Sequence, residues 1–89
     1  MLEVEVQVNH PSGLHARPAA RFVEEAKRFA ADIRLCVGER SVDAKSILGV
    51  LSLGVRHGTL VRLTASGPDA AAALEALARL VETGLGEGT

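Results

Sequence analysis

The stretch Leu2-Glu3-Val4-Glu5-Val6-Gln7-Val8-Asn9-His10-Pro11-Ser12-Gly13-Leu14-His15-Ala16-Arg17-Pro18 changes its hydrophobic period halfway, and the rest of the chain alternates between the same two periods. Leu2, Val4, Val6 and Val8 alternate with Glu3, Glu5 and Gln7, the period-2 pattern of a half-buried strand. Asn9 to Gly13 then supplies turn chemistry. From Ala16 to about Phe29, Ala19, Ala20, Phe22, Val23, Ala26, Phe29 and Ala30 recur at helical spacing, with Arg21, Glu24, Glu25, Lys27 and Arg28 on the other face. Pro18 falls in the first turn, where a missing amide costs nothing.

Outward from that junction, Ile33, Leu35 and Val37 alternate with Arg34 and Cys36 as a second strand. Gly38-Glu39 reads as a tight turn into a short strand over Arg40 to Asp43. Ser46 to Leu53 is too apolar for a loop and stops at Gly54, which predicts a short helix. Thr59 to Ala65 reads as a fourth strand with Val61, Leu63 and Ala65 on one face. Gly67-Pro68-Asp69 opens a last helix through about Val81, with Ala70, Ala73, Leu74, Leu77, Leu80 and Val81 facing inward. The order β-α-β-β-α-β-α predicts an α+β layer pair, one sheet covered on one face. No repeat, linker or low-complexity tract divides it, so residues 1–89 read as one domain.

Composition narrows the function. A chain of 89 residues buries about 60–65% of the surface that it exposes when unfolded, and the 47% hydrophobic content supports a core. Phe22 and Phe29 are the only aromatics, which argues against stacking platforms for single-stranded nucleic acid. A net charge of −1 provides no overall field for a phosphate backbone. Cys36 is the single cysteine, so neither a disulfide framework nor a cysteine-rich metal site is expected. It reads as a strand thiol without a role. His10 and His57 read as turn residues, and no metal or other cofactor is expected from such scattered histidines. The opening Met1-Leu2-Glu3-Val4-Glu5 lacks the basic region of a signal peptide, and no segment reaches the length of a membrane span. These features predict a cytoplasmic domain, too small to engulf a substrate.

The chemistry concentrates in Ser12-Gly13-Leu14-His15-Ala16-Arg17-Pro18. His15 falls at a strand-to-helix junction, where the first amides of a helix lack partners and the macrodipole adds partial positive charge. Arg17 offers a guanidinium matched to phosphate oxygens, Gly13 permits close backbone approach, and Ser12 and Ala16 border the same loop. A nucleophilic imidazole beside a phosphate cradle suits a phosphohistidine intermediate. Spacing alone leaves open a plain capping role for the same histidine.

A second feature is Lys45-Ser46-Ile47-Leu48-Gly49-Val50-Leu51-Ser52-Leu53-Gly54. Ser46 is placed to cap the short helix, a contribution of about 1 kcal/mol, and a phosphate there is tolerated for the same reason. Ile47, Leu48, Val50, Leu51 and Leu53 cannot all face inward from so short an element. Ile47, Leu48 and Leu51 are therefore expected to be exposed as a docking patch.

These motifs resemble those of HPr, the histidine-containing phosphocarrier family of the bacterial phosphoenolpyruvate-dependent sugar phosphotransferase system. Gly13-Leu14-His15-Ala16-Arg17-Pro18 is similar to its active-site motif, Lys45 to Gly54 to its regulatory-serine motif, and Ala65 to Ala70 to its approach to the last helix. The resemblance spans roughly Val4 to Glu82. It implies an open-faced β-sandwich, a four-stranded antiparallel sheet with three helices on one face. It further implies that His15 accepts a phosphoryl group on Nδ1 from phosphorylated enzyme I, assisted by Arg17, and passes it to a sugar-specific enzyme IIA. On this reading the chain is a stoichiometric relay and a monomer, with no enzymatic turnover and no nucleic-acid or membrane partner. Ala20, Ile47, Leu48 and Leu51 would dock partners, and Ser46 would be phosphorylated by an HPr kinase/phosphorylase to engage a transcription regulator. Glu24 and Glu25 depart from the family's more basic first helix. Local steering charge is therefore expected from Arg17, Arg21, Lys27 and Lys45. Two rival classes are a purely regulatory module read through Ser46, which would not need His15, and a ferredoxin-like ligand-binding domain, which element order alone allows.

Overall fold

The computed structural model describes residues 1–9 and 16–83. Its elements are β1 (Leu2–Gln7), α1 (Ala16–Ala26), β2 (Asp32–Val37), β3 (Arg40–Asp43), α2 (Ile47–Ser52), β4 (Leu60–Ser66) and α3 (Ala70–Glu82). The strands form one sheet in the order β1-β4-β2-β3, with every neighbouring pair antiparallel. The three helices cover one face, giving the open-faced α+β sandwich expected from the motifs.

Register follows from the alternation. Val4 stands opposite Leu63, Leu63 opposite Leu35, and Leu35 opposite Val42, so one apolar row crosses all four strands beneath the helices. The adjacent row, Glu5, Arg62, Cys36 and Ser41, lies on the open face. A slip of one residue would exchange these rows, sending charges into the core. Leu63 and Leu35 are fully buried, as are Phe22, Ile33 and Leu77. Each such side chain contributes about 1.5–3 kcal/mol relative to exposure. The pairing of the first strand runs past Gln7, because the Val8 amide donates to the Thr59 carbonyl at 2.9 Å and the Gly58 amide to the Val8 carbonyl at 2.8 Å.

α3 packs on β1 and β4, α2 lies beside β3, and α1 lies against both helices. The inner stripe of α3 is Ala70, Ala73, Leu74, Leu77 and Val81, all buried, whereas Leu80 is only half-buried at its margin. α1 ends at Ala26, three residues before Phe29, the end read from helical spacing. A competing set of bonds explains the difference. The carboxylate of Asp69, just before α3, accepts the Ala30 and Ala31 amides at 2.8 Å each, one on each oxygen. Lys45 Nζ donates to the Phe29 carbonyl at 2.7 Å. Residues 29–31 are thus held by side chains from two other connections, with Phe29 half-buried against the core and Ala30 exposed.

At the same place Gly67 passes Ala31 so closely that a Cβ would lie 2.9 Å from the Ala31 Cα, and its φ of 140° disfavours any side chain. Gly67→Ala is therefore expected to lower unfolding free energy by about 1–3 kcal/mol in urea denaturation. The amide bonds from Ala30, above all, and from Ala31 hold the Asp69 carboxyl below its ordinary value of 3.8, against an opposing desolvation effect, with Lys45 adding a smaller favourable charge. A depressed pKa stabilises the fold above the unfolded value and loses that contribution as pH falls through the folded value. Asp69→Asn should be less stable than the parent above about pH 5, and the difference should narrow as acid protonates the parent carboxyl, read from urea midpoints against pH.

Candidate functional site

α1 begins at Ala16, so the residue following His15 is the first helical one. His15 and Ser12 themselves lie outside the described residues, together with His10, Gly13 and Leu14. Within the first two turns Pro18, Ala19, Phe22 and Val23 are buried, while Arg17, Ala20 and Arg21 are exposed. The apolar face of α1 anchors it on the core and leaves the guanidinium of Arg17 in solvent, one residue beyond the helix start. An exposed guanidinium there can meet an anion delivered from outside.

α2 is the second component. Ser46 has an extended backbone (φ −109°, ψ 115°), and its Oγ accepts the Gly49 amide at 3.1 Å, the N-cap expected from sequence. A Cβ at Gly49 would lie 3.3 Å from both Ser46 Oγ and Val42 Cβ, a tight approach that a side chain there would relieve only by shifting the cap or the sheet side chain. Val50 is the buried residue of this helix, and Leu53 is buried at its C-cap. Ile47, Leu48 and Leu51 are 38%, 78% and 37% exposed, the outward patch that six helical residues cannot bury. Because α1 packs directly against α2, the exposed Arg17 and Ala20 and this apolar patch belong to adjoining helices.

The charges differ in one respect from the sequence expectation. Arg17, Arg21 and Lys27 are exposed on α1 or just beyond it. Lys45 is half-buried and engaged with the Phe29 carbonyl, near Asp69, so its ammonium serves the fold as well as the field. Glu24 is exposed, whereas Glu25 is paired with Arg28 at 3.4 Å. Sequence reading missed the structural use of Lys45 and Asp69. An aspartate before a helix signals a cap for that helix, but this one makes no side-chain cap bond and is spent on Ala30 and Ala31.

The other candidates fall elsewhere. Cys36 is a buried free thiol under the open face, 3.6 Å from Ser41 Oγ. His57 is exposed in the turn before β4. Among the described residues no three His, Cys, Asp or Glu side chains cluster as a metal site, and no helix is long and apolar enough to cross a membrane.

Residues 2–83 match the family model described as PTS HPr component phosphorylation site. The chain is 44% identical over 82 residues to the phosphocarrier protein HPr of Vibrio cholerae, covering 92% of this chain and 96% of that protein. It is 46% identical over 85 residues to the multiphosphoryl transfer protein of the same bacterium, covering 92% of this chain but spanning only 21% of that longer protein. Among solved structures, an HPr from Thermoanaerobacter tengcongensis superposes with a TM-score of 0.95 at 44% identity, covering all of both chains. Another HPr structure from that organism is a dimer. A family match across nearly the whole chain, on the same fold, places this chain in the HPr family, the phosphocarrier component of the phosphotransferase system.

Proposed function

We propose that His15 is the residue that carries the phosphoryl group, received from phosphorylated enzyme I and passed to an enzyme IIA. The observation that carries this reading is the start of α1 at Ala16, directly after His15, with Arg17 exposed in the first turn. In the transfer, imidazole Nδ1 attacks phosphorus, the new N–P bond forms, and the bond from phosphorus to the donor breaks. Arg17 and the first amides of α1 stabilise the charge on the equatorial oxygens, with Ser12 and Ala16 bordering the group. The reverse sequence delivers the phosphoryl group to the acceptor. The chain then returns unchanged, a stoichiometric relay whose donor and acceptor sites reside in its partners.

Docking is assigned to Ala20, Ile47, Leu48 and Leu51, with Arg17, Arg21 and Lys27 as local steering charge. A small apolar patch suits encounters that must end quickly. The carrier works as a single-domain cytoplasmic monomer, because one exposed site must face two proteins in turn. Ser46 is a second, regulatory phosphorylation site for an HPr kinase/phosphorylase, and its phosphorylated form engages a transcription regulator. What supports this role is its position as the cap of α2, beside the patch.

Incubation with phosphoenolpyruvate and enzyme I is expected to yield an acid-labile, alkali-stable adduct that is absent in His15→Ala. A normal yield in that variant sinks the assignment. Ser46→Asp places a carboxylate beside apolar surface that docking must desolvate, so transfer from enzyme I should weaken about tenfold or more without loss of fold. Unchanged transfer kinetics would count against the regulatory reading.

A further inference from the structure

α2 presents the proposed docking patch, yet little holds it down. Its six residues are too few for a helix that is stable by itself, and its buried anchors are Val50 and, at the C-cap, Leu53. Its last carbonyls can be accounted for one by one. The Gly49 carbonyl accepts the Ser52 hydroxyl at 2.6 Å, the Val50 carbonyl the Leu53 amide at 3.3 Å, and the Leu51 carbonyl the Gly54 amide at 3.2 Å. These partners are local and move with the helix. The Ser52 carbonyl instead accepts Arg40 Nη2 at 3.0 Å, from β3, twelve residues earlier in the chain. Among the described residues this is the bond that ties the C-terminal end of α2 to the sheet. It also sets a cation at the negative end of the helix.

We infer that Arg40 is a positioning residue for partner docking: its guanidinium fixes the C-terminal turn of α2, and with it Leu48 and Leu51, against β3. This rests on the reading of α2 as the docking helix. Arg40 belongs to neither the phosphoryl-carrying motif nor the apolar patch. Its effect on transfer runs through the order of α2.

The test pairs two measurements on the intact chain and on Arg40→Ala and Arg40→Lys. Hydrogen exchange of the Leu53 and Gly54 amides should accelerate about three- to tenfold in the alanine variant and less in the lysine variant, which retains a donor. Enzyme I should show a KM for the alanine variant raised about three- to tenfold, with kcat within about twofold of the parent, and partial recovery in the lysine variant. Both changes together sustain the inference. Unchanged exchange and unchanged KM overturn it. A raised KM with unchanged exchange also overturns it, since Arg40 would then touch the partner directly. Faster exchange with an unchanged KM overturns the docking role of α2, and with it the function assigned to Arg40.

Discussion

The Asp69 carboxylate, accepting the Ala30 and Ala31 amides at 2.8 Å each, fixes the junction on which the helical layer depends. Asp69 stands immediately before α3, and the amides belong to the connection from α1 into β2. Lys45, from the connection between β3 and α2, binds the Phe29 carbonyl in the same segment. The end of α1 and the starts of α2 and α3 are therefore tied at one place. Gly67 closes it, since its backbone passes where a Cβ would meet Ala31. Helices α1 and α2, which bear the residues assigned to transfer and docking, are set relative to one another by this junction together with their buried faces.

The sheet supplies the complementary constraint. The apolar row through Val4, Leu63, Leu35 and Val42 admits one register, because its neighbour carries Glu5 and Arg62. Most of this was legible from alternation in Leu2 to Val8, in Ile33 to Val37 and in Val61 to Ala65. The capping of α2 by Ser46 and the exposure of Ile47, Leu48 and Leu51 were legible too, since a short helix with five large apolar residues cannot bury all of them. The end of α1 was not. Phe29 and Ala30 continue the helical spacing, but α1 tightens into i→i−3 turns after Ala26, and bonds from Asp69 and Lys45, distant in sequence, hold residues 29–31 out of the helix. The Arg40 bond to the Ser52 carbonyl was invisible for the same reason: it joins a side chain to a backbone atom, which leaves no pattern in sequence.

A small domain with a near-neutral charge and two aromatics matches the demands of a relay. On the proposed reading, pockets for fuel and sugar belong to the partners, and the carrier needs an accessible imidazole, a helix start and a patch for brief encounters. The charge assigned to guide those encounters is local, with Arg17, Arg21 and Lys27 exposed and Lys45 drawn partly into the fold. Neighbouring residues thus serve different parts of the fold: Lys45 secures the junction while Ser46 caps α2, the helix proposed to dock partners.

The central claim is that one imidazole carries the phosphoryl group. Long-range proton–nitrogen NMR of the histidine rings, recorded on the intact chain with phosphoenolpyruvate and catalytic enzyme I, tests it most directly. The account predicts a single phosphoryl group on Nδ1 of His15, with the rings of His10 and His57 unmodified. Phosphorylation of either of those rings in place of His15, or of no histidine at all, would contradict it.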